Sequence, residues 1–373
     1  MAGSRLEDAF ARALAADGGT DGEAEAGIGL ERLRPDDEAA AAAALGRVHV
    51  YQVTSARDDT HPRWHAGAAL LARAPSLLAV STTGVGFDTV DVTACTAAGV
   101  LAVNQAGSNR EAVAEHVLGM MLSLSKRIGE ADRAMRRSGA ARSSEAVSRF
   151  KLVGRDIFGR TLGVVGFGAI GRRVAEIVRP FVMPVLAYDP YVPAETVAAG
   201  GARKVETLDE LLTASDFVSI NCPLTAETRG MVGAREYALM RPHACFVSTA
   251  RGGIHDEDAL LAALREGRLA GAGLDVWDVE PPPPDHPLLQ LDTVIATPHI
   301  AGTTQEARTA MAAYAAEQIR QILRGERPPR LLNPEAWPVY AKRYARIIGC
   351  PPGGGAPAQD RAGTGGAAAA GDR

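Results

Sequence analysis

The sequence predicts an α/β protein built on a doubly wound, mostly parallel sheet, with a second and smaller α/β layer ahead of it. Three observations carry this. Six short apolar runs alternate with helical stretches at 162–165, 185–188, 217–220, 245–248, 273–276 and 294–296. A glycine-rich turn, Gly166-Phe167-Gly168-Ala169-Ile170-Gly171, separates the first of these runs from the first helix. Three further short apolar runs, 48–53, 77–81 and 100–103, come before them. Parallel neighbours need a crossover connection, so strands that alternate with helices point to parallel sheets.

At the N-terminus, the first 45 residues are Ala-rich and helix-prone, interrupted by a Gly/Asp/Glu loop at 17–27, and show no opening strand. The small layer follows, with a helical stretch at 64–72 between its first two runs. A single long helix is expected over 110–137, with Ala112, Val113, His116, Val117, Met120, Met121 and Leu124 near one face. A polar segment at 138–149 leads into the large sheet, and a last helix over 305–323 stops at Gly325 before Pro328-Pro329. Beyond about 350 the Pro/Gly/Ala-rich tail has little to bury and is expected to be disordered.

With 373 residues, a soft prior of ~150 residues per domain implies two domains. A net charge of −4 without any dense Lys/Arg block excludes a phosphate-binding tail, so nucleic acid is not an expected partner. The longest apolar stretch is interrupted by Glu115 and His116, short of the ~20 residues that span a bilayer. The first 19 residues carry acids and lack an apolar core, so no signal peptide is expected and the cytoplasm is the expected location. Cys95, Cys222, Cys245 and Cys350 form neither CxxC pairs nor a zinc-like spacing with histidine. They read as reduced, mostly buried thiols, and no metal is expected.

The glycine motif lies where a dinucleotide would bind. The first glycine allows a tight turn, the second lets the pyrophosphate approach, and the third lets the helix pack on the strand with its N-terminus toward the phosphates. Ala169 and Ile170 complete the turn. Asp189, 18 residues past Gly171 at the end of the next run, suits the adenosine ribose hydroxyls and repels a 2′-phosphate, which favours NAD over NADP.

Three polar residues follow three later strands, where open α/β sheets place their ligands: Arg251, Glu280 and His299. Oxidising a 2-hydroxy acid needs a cation for the carboxylate, a base for the hydroxyl proton and a group that orients that base. A guanidinium fork suits the carboxylate, and a Glu beside an imidazole favours its charged form. Singly, each also suits an ordinary structural or surface role. The other histidines, His49, His61, His65, His116, His243, His255 and His286, read that way.

From about Val80 to Gly302 the chain resembles the D-2-hydroxyacid dehydrogenase family, phosphoglycerate dehydrogenase-like group. The likeness rests on Gly84-Val85-Gly86-Phe87-Asp88-Thr89-Val90-Asp91, Asn109-Arg110-Glu111-Ala112-Val113-Ala114-Glu115-His116, the glycine motif, Thr249-Ala250-Arg251-Gly252-Gly253, Gly273-Leu274-Asp275-Val276 and Pro298-His299-Ile300-Ala301-Gly302. The resemblance implies a Rossmann nucleotide domain at 106–300 and a smaller flavodoxin-like substrate domain made from 1–105 and a returning helix at 301–335, with 336–373 as an extension. It implies that Arg251, Glu280 and His299 are catalytic. It also implies that Ser55, Val85, Gly86 and Asn109 serve the substrate with Arg251 and His299, Val85 and Gly86 through backbone N–H groups and Asn109 at the interdomain cleft. Asp275 would hold the nicotinamide carboxamide, with Pro223, Thr228, Thr249, Ala250 and Gly302 completing the cofactor pocket. The implied partner is a small 2-hydroxy or 2-oxo acid, and the implied assembly is a homodimer built on the nucleotide domain.

Some positions depart from the family pattern. Ala169 stands where an Arg often meets the pyrophosphate, and Thr54-Ser55 stands where phosphoglycerate-specific members tend to carry Arg-Ser. A serine-binding regulatory domain is not expected in the low-complexity tail. Formate dehydrogenases share the expected fold, but their histidine partner resembles Gln, against Glu280 here. A corepressor of the C-terminal-binding-protein type, which binds NAD and a peptide, carries a similar triad. Turnover of a 2-oxo acid separates it from an enzyme.

Overall fold

In the computed structural model the described residues are 9–14, 28–33, 36–137 and 152–353. The expected loop at 17–27, the polar segment at 138–149 and the tail from 354 onward lie outside them. These residues divide into two compact units, Met1–Ser108 with Thr309–Arg373, and Asn109–Arg308.

The first unit opens with helices α1 (9–14) and α2 (Glu38–Leu45). They precede β1 (Val50–Val53), α3 (Ala68–Ala72), β2 (Ala79–Thr82), α4 (Val92–Ala98) and β3 (Leu101–Val103). The three strands pair in parallel in the order β1-β2-β3. Asp37 caps α2 by accepting from the Ala40 N–H, and Asp91 caps α4 through Ala94, leaving fewer orphan helix donors. Leu70, Leu77, Val80, Val100 and Ala102 form the core on one side.

The second unit begins with α5 (Arg110–Ser125) and α6 (Ile128–Arg137). The single helix expected over 110–137 is therefore two. Arg127 breaks it with φ +53°, a left-handed conformation that stops a helix, and its guanidinium bonds Glu130 at 2.8 Å. The break falls at Lys126-Arg127, ahead of Gly129, and the apolar spacing from Leu124 to Ile128 runs through it.

The large sheet follows: β4 (Leu162–Val165), α7 (Ala169–Ile177), β5 (Val185–Tyr188), α8 (Ala194–Ala199), β6 (Arg203–Lys204), α9 (Leu208–Ala214), β7 (Phe217–Ile220), α10 (Ala234–Leu239), β8 (Cys245–Ser248), α11 (Glu257–Arg265), β9 (Gly271–Leu274) and β10 (Val294–Ala296). All seven strands are parallel, in the order β10-β9-β8-β7-β4-β5-β6. β4, β7, β8 and β9 are buried along their whole length, because helices cover both faces. The seventh strand, β6, was not expected; two polar residues at an edge give no apolar signal. β9 begins two residues before the run expected at 273–276. A Cβ on Gly271 would come within 2.7 Å of the Thr293 carbonyl, and one on Gly273 within 2.8 Å of Met120 Sδ, so these glycines admit close packing and do not end the strand.

The helix expected over 305–323 is α12 (Gln305–Leu323). The extension after it holds an unexpected helix, α13 (Trp337–Ile348), with Pro338 in its first turn where proline is tolerated. Tyr340 and Tyr344 pack with Leu78, Leu101 and Ile322 of the first unit, and Tyr340 donates to the Ile322 carbonyl at 3.0 Å. Among the described residues no helix is long and apolar enough to cross a membrane.

Between β8 and the helices on its face, His255 is buried against Phe246 with a ring-centroid distance of 5.2 Å, and neither ring nitrogen has a partner. Burial disfavours the charged ring and pulls its pKa down to about 4. The unfolded ring protonates near pH 6.5 and the folded one does not, so stability present above that pH is lost as pH falls toward 4, by at most about 3 kcal/mol. His255→Leu is expected to flatten this limb in urea unfolding measured from pH 7 to 4; equal slopes in both proteins would remove His255 as the cause.

Candidate active site

The chain reverses its direction of travel across the sheet at β4, which lies between β5 and β7. Such a switch point opens a crevice at the carboxyl ends of the strands. The glycine turn occupies it. Gly166 has φ +89°, and a Cβ there would meet the Cys222 nitrogen at 2.7 Å, so only glycine fits. A Cβ on Gly171 would lie 2.2 Å from the Gly166 carbonyl oxygen. Gly168, by contrast, has nothing within 4 Å of a built Cβ, so protein packing leaves space beside the N-terminus of α7. That space and the exposed helix terminus fit a pyrophosphate.

Asp189, just past β5, accepts from the Phe167 N–H at 2.8 Å and the Tyr191 N–H at 2.9 Å, which ties it to the glycine turn. Pro223 and Thr228 lie together in the segment after β7, where the Thr228 hydroxyl donates to the Pro223 carbonyl at 2.7 Å. Thr249 and Ala250 follow β8, and the Thr249 hydroxyl is buried without a partner. A ligand polar atom would satisfy it.

β8, β9 and β10 are neighbours at about 4.8 Å spacing, and their carboxyl ends carry Arg251, Glu280 and His299. The Arg251 loop is set by packing: a Cβ on Gly252 would overlap the Trp277 carbonyl oxygen at 1.9 Å. Arg251 donates to the Ala250 carbonyl at 2.6 Å. His299 Nδ1 lies 2.6 Å from Glu280 Oε2, while Glu280 Oε1 accepts from the Trp277 N–H at 3.1 Å.

His299 has φ +55°, unusual for a residue with a side chain, and Asp275 holds it there. The Asp275 carbonyl accepts from the His299 N–H at 2.8 Å, and its carboxylate accepts from the N–H groups of Ile300 and Ala301, both at 2.8 Å. The Thr297 hydroxyl adds a fourth bond at 2.5 Å. Asp275 is wholly buried, so the loop is fixed by a carboxylate whose bonds are all made inside the protein. His116, read from sequence as structural or surface, braces this loop: its Nε2 is 3.2 Å from Thr297 Oγ1. Its place on a helix far away in sequence gave no sign of this. Gly302 packs on Asn109, whose Oδ1 is buried and unpartnered.

Burial pulls the His299 imidazole down in pKa, but its hydrogen bond to Glu280 and that group's charge more than offset burial, so the net shift is upward. For Glu280, burial pushes upward, and the His299 hydrogen bond and charge bring the carboxyl below its usual range. The arrangement is an imidazole whose protonated form Glu280 favours, near a guanidinium that disfavours that form electrostatically. In the first unit, Ser55 lies beside the Gly84-Val85-Gly86 turn, where a Cβ on Gly84 would reach Ser55 Oγ at 2.7 Å.

A separate cavity of about 230 Å³ opens at the opposite, amino-terminal edge of the large sheet, lined in part by Arg155, Asp216, His243 and Cys245. It contains none of the residues above. Among the described residues no group of three or more His, Cys, Asp or Glu is arranged to hold a metal ion.

The family model described as D-isomer specific 2-hydroxyacid dehydrogenase, NAD binding domain, matches residues 118–301. A D-3-phosphoglycerate dehydrogenase of Methanocaldococcus jannaschii is 40% identical over 264 residues, 71% of this chain and 49% of that protein. The chain thus spans about half the length of the phosphoglycerate dehydrogenase relatives it matches. A glyoxylate reductase of Korarchaeum cryptofilum is 40% identical over 268 residues, 72% of this chain and 80% of that protein. Among solved structures, the D-lactate dehydrogenase from Aquifex aeolicus complexed with NAD and lactic acid is similar, with a TM-score of 0.66, 30% identity and coverage of 76% of this chain and 86% of that one.

Proposed function

Because this chain belongs to the D-isomer specific 2-hydroxyacid dehydrogenase family, we propose that it interconverts a small D-2-hydroxy acid and its 2-oxo acid by hydride transfer with NAD. The observation that carries the proposal is the 2.6 Å bond between His299 Nδ1 and Glu280 Oε2 at the carboxyl ends of adjacent strands. NAD, when bound, takes up or gives the hydride at carbon 2. Gly166, Gly168, Ala169, Ile170 and Gly171 would hold its pyrophosphate, Asp189 its ribose, and Pro223, Thr228, Thr249, Ala250 and Gly302 would line its pocket, with the buried Asp275 behind them holding the His299 loop.

With Nδ1 committed to Glu280, His299 moves the proton through Nε2. It gives a proton to the carbonyl oxygen in reduction and takes one from the hydroxyl in oxidation. Arg251 binds the carboxylate, and Val85, Gly86, Ser55 and Asn109 serve the substrate. The substrate class is phosphoglycerate or hydroxypyruvate and glyoxylate, and Thr54-Ser55 favours the unphosphorylated acids. The working unit is a homodimer: Ile128 and Met135, seven residues apart on α6, are 54% and 62% exposed, an apolar strip that a second copy would cover.

The test is NADH consumption across a panel of 2-oxo acids. Steady turnover of one or more supports the enzyme; NADH binding with no turnover favours an NAD-binding interaction protein of the same fold. The pairing has its own test in the pH profile. Glu280→Gln removes the charge that raises the His299 pKa, so the alkaline limb of 2-oxo acid reduction is expected to move to lower pH. An unmoved limb would separate Glu280 from the proton transfer.

A further inference from the structure

The turn Gly84-Val85-Gly86 in the first unit has its carbonyls committed in one direction. The Gly84 carbonyl accepts from the Thr82 hydroxyl at 2.9 Å and the Gln105 N–H at 3.0 Å. The Val85 carbonyl accepts from Asn104 Nδ2 at 2.7 Å. In a trans peptide the C=O and the following N–H point opposite ways. Binding both carbonyls to the 104–105 segment therefore turns the N–H groups of Val85 and Gly86 away from it, side by side. Among the described residues no oxygen accepts from either N–H. Two adjacent unpaired backbone donors make a concave anion acceptor.

Asn104 is built to hold this aim. It is 6% exposed, its Oδ1 accepts from the Ala106 N–H at 3.2 Å, and its own carbonyl accepts from Gln318 Nε2 at 2.9 Å. Gln318, on α12 and wholly buried, also bonds Gln105 Oε1 at 3.0 Å, while its Oε1 accepts from the Arg330 N–H at 3.0 Å. The Asn104 backbone is thus held by Gln318, and its side-chain amide by the Ala106 N–H. That amide spends its donor on the one carbonyl whose direction decides where the Gly86 N–H points.

We propose that Asn104 is a positioning residue for substrate: it aims the Val85 and Gly86 N–H pair at the carboxylate of the 2-oxo acid. This rests on the substrate reading given above. Asn104→Ala releases the Val85 carbonyl, and the peptide is then free to rotate.

The experiment compares kcat/KM for a 2-oxo acid and for its methyl ester in wild type and Asn104→Ala, with NADH affinity read by fluorescence titration. The acid is expected to lose on the order of tenfold through KM, the size of one hydrogen bond's net worth. The ester and NADH binding should change little, because neither uses the carboxylate. Equal losses on acid and ester, or no loss on either, overturn the proposal; a merely structural residue would give the first pattern. If circular dichroism shows Asn104→Ala unfolded, the isosteric Asn104→Asp, which when ionised has no donor for the Val85 carbonyl, carries the same comparison. A wild type that turns over no acid of the panel overturns the substrate reading itself, whereas an active wild type with an indifferent variant overturns only the role of Asn104.

Discussion

His299→Ala is expected to lower the rate of 2-oxo acid reduction by roughly 10²–10⁴-fold, with NADH affinity within a few-fold of wild type. The size follows from what the site offers as an alternative. Glu280 is held in its anionic form and accepts the histidine hydrogen bond, and Arg251 does not release a proton near neutral pH. No nearby group therefore replaces the imidazole as acid. The His299 side chain is only 30% exposed and pairs with Glu280, so the variant should also lose some thermal stability, and the catalytic loss is read as kcat at saturating NADH on folded protein. Full turnover in the variant would assign the proton to another group.

Arg251→Ala should lower kcat/KM for the acid by about 10- to 150-fold, the worth of a charge-assisted bond of about 1.5–3 kcal/mol, and most of it through KM. Arg251→Lys should recover only part, since an ammonium lacks the planar fork that matches a carboxylate. A second consequence has a definite sign. The Arg251 charge lowers the His299 pKa, so its removal lets that pKa rise and moves the alkaline limb of reduction to higher pH. Glu280→Gln moves the same limb the other way. Opposite movements would tie both groups to one imidazole; movement in the same direction would break that arrangement.

Much of the fold was legible because parallel strands buried on both faces read as short apolar runs. Five runs of the large sheet have the bounds of their strands, and the helix expected over 305–323 has the bounds of α12. The misses have two causes. Arg127 ends a helix through backbone conformation, Gly271 and Gly273 belong to a strand because α5 packs close, and α13 follows a Pro-rich segment that reads as a breaker. The first is a local backbone conformation that residue type does not announce, and the other two are settled by neighbours distant in sequence.

The site divides in the same way. Chain order alone put the glycine turn after a strand, Asp189 after the next, and Arg251, Glu280 and His299 each past a later one, because residue type and spacing are local and strand ends are where open sheets bind. Tertiary structure decided which groups touch. Glu280 and His299 are 19 residues apart in the chain and meet at 2.6 Å only because β9 pairs with β10. Asp275 holding His299 left-handed, and Asn104 turning the Val85 peptide, arise the same way, since a hydrogen bond depends on direction and sub-ångström distance that no pattern of residue types encodes.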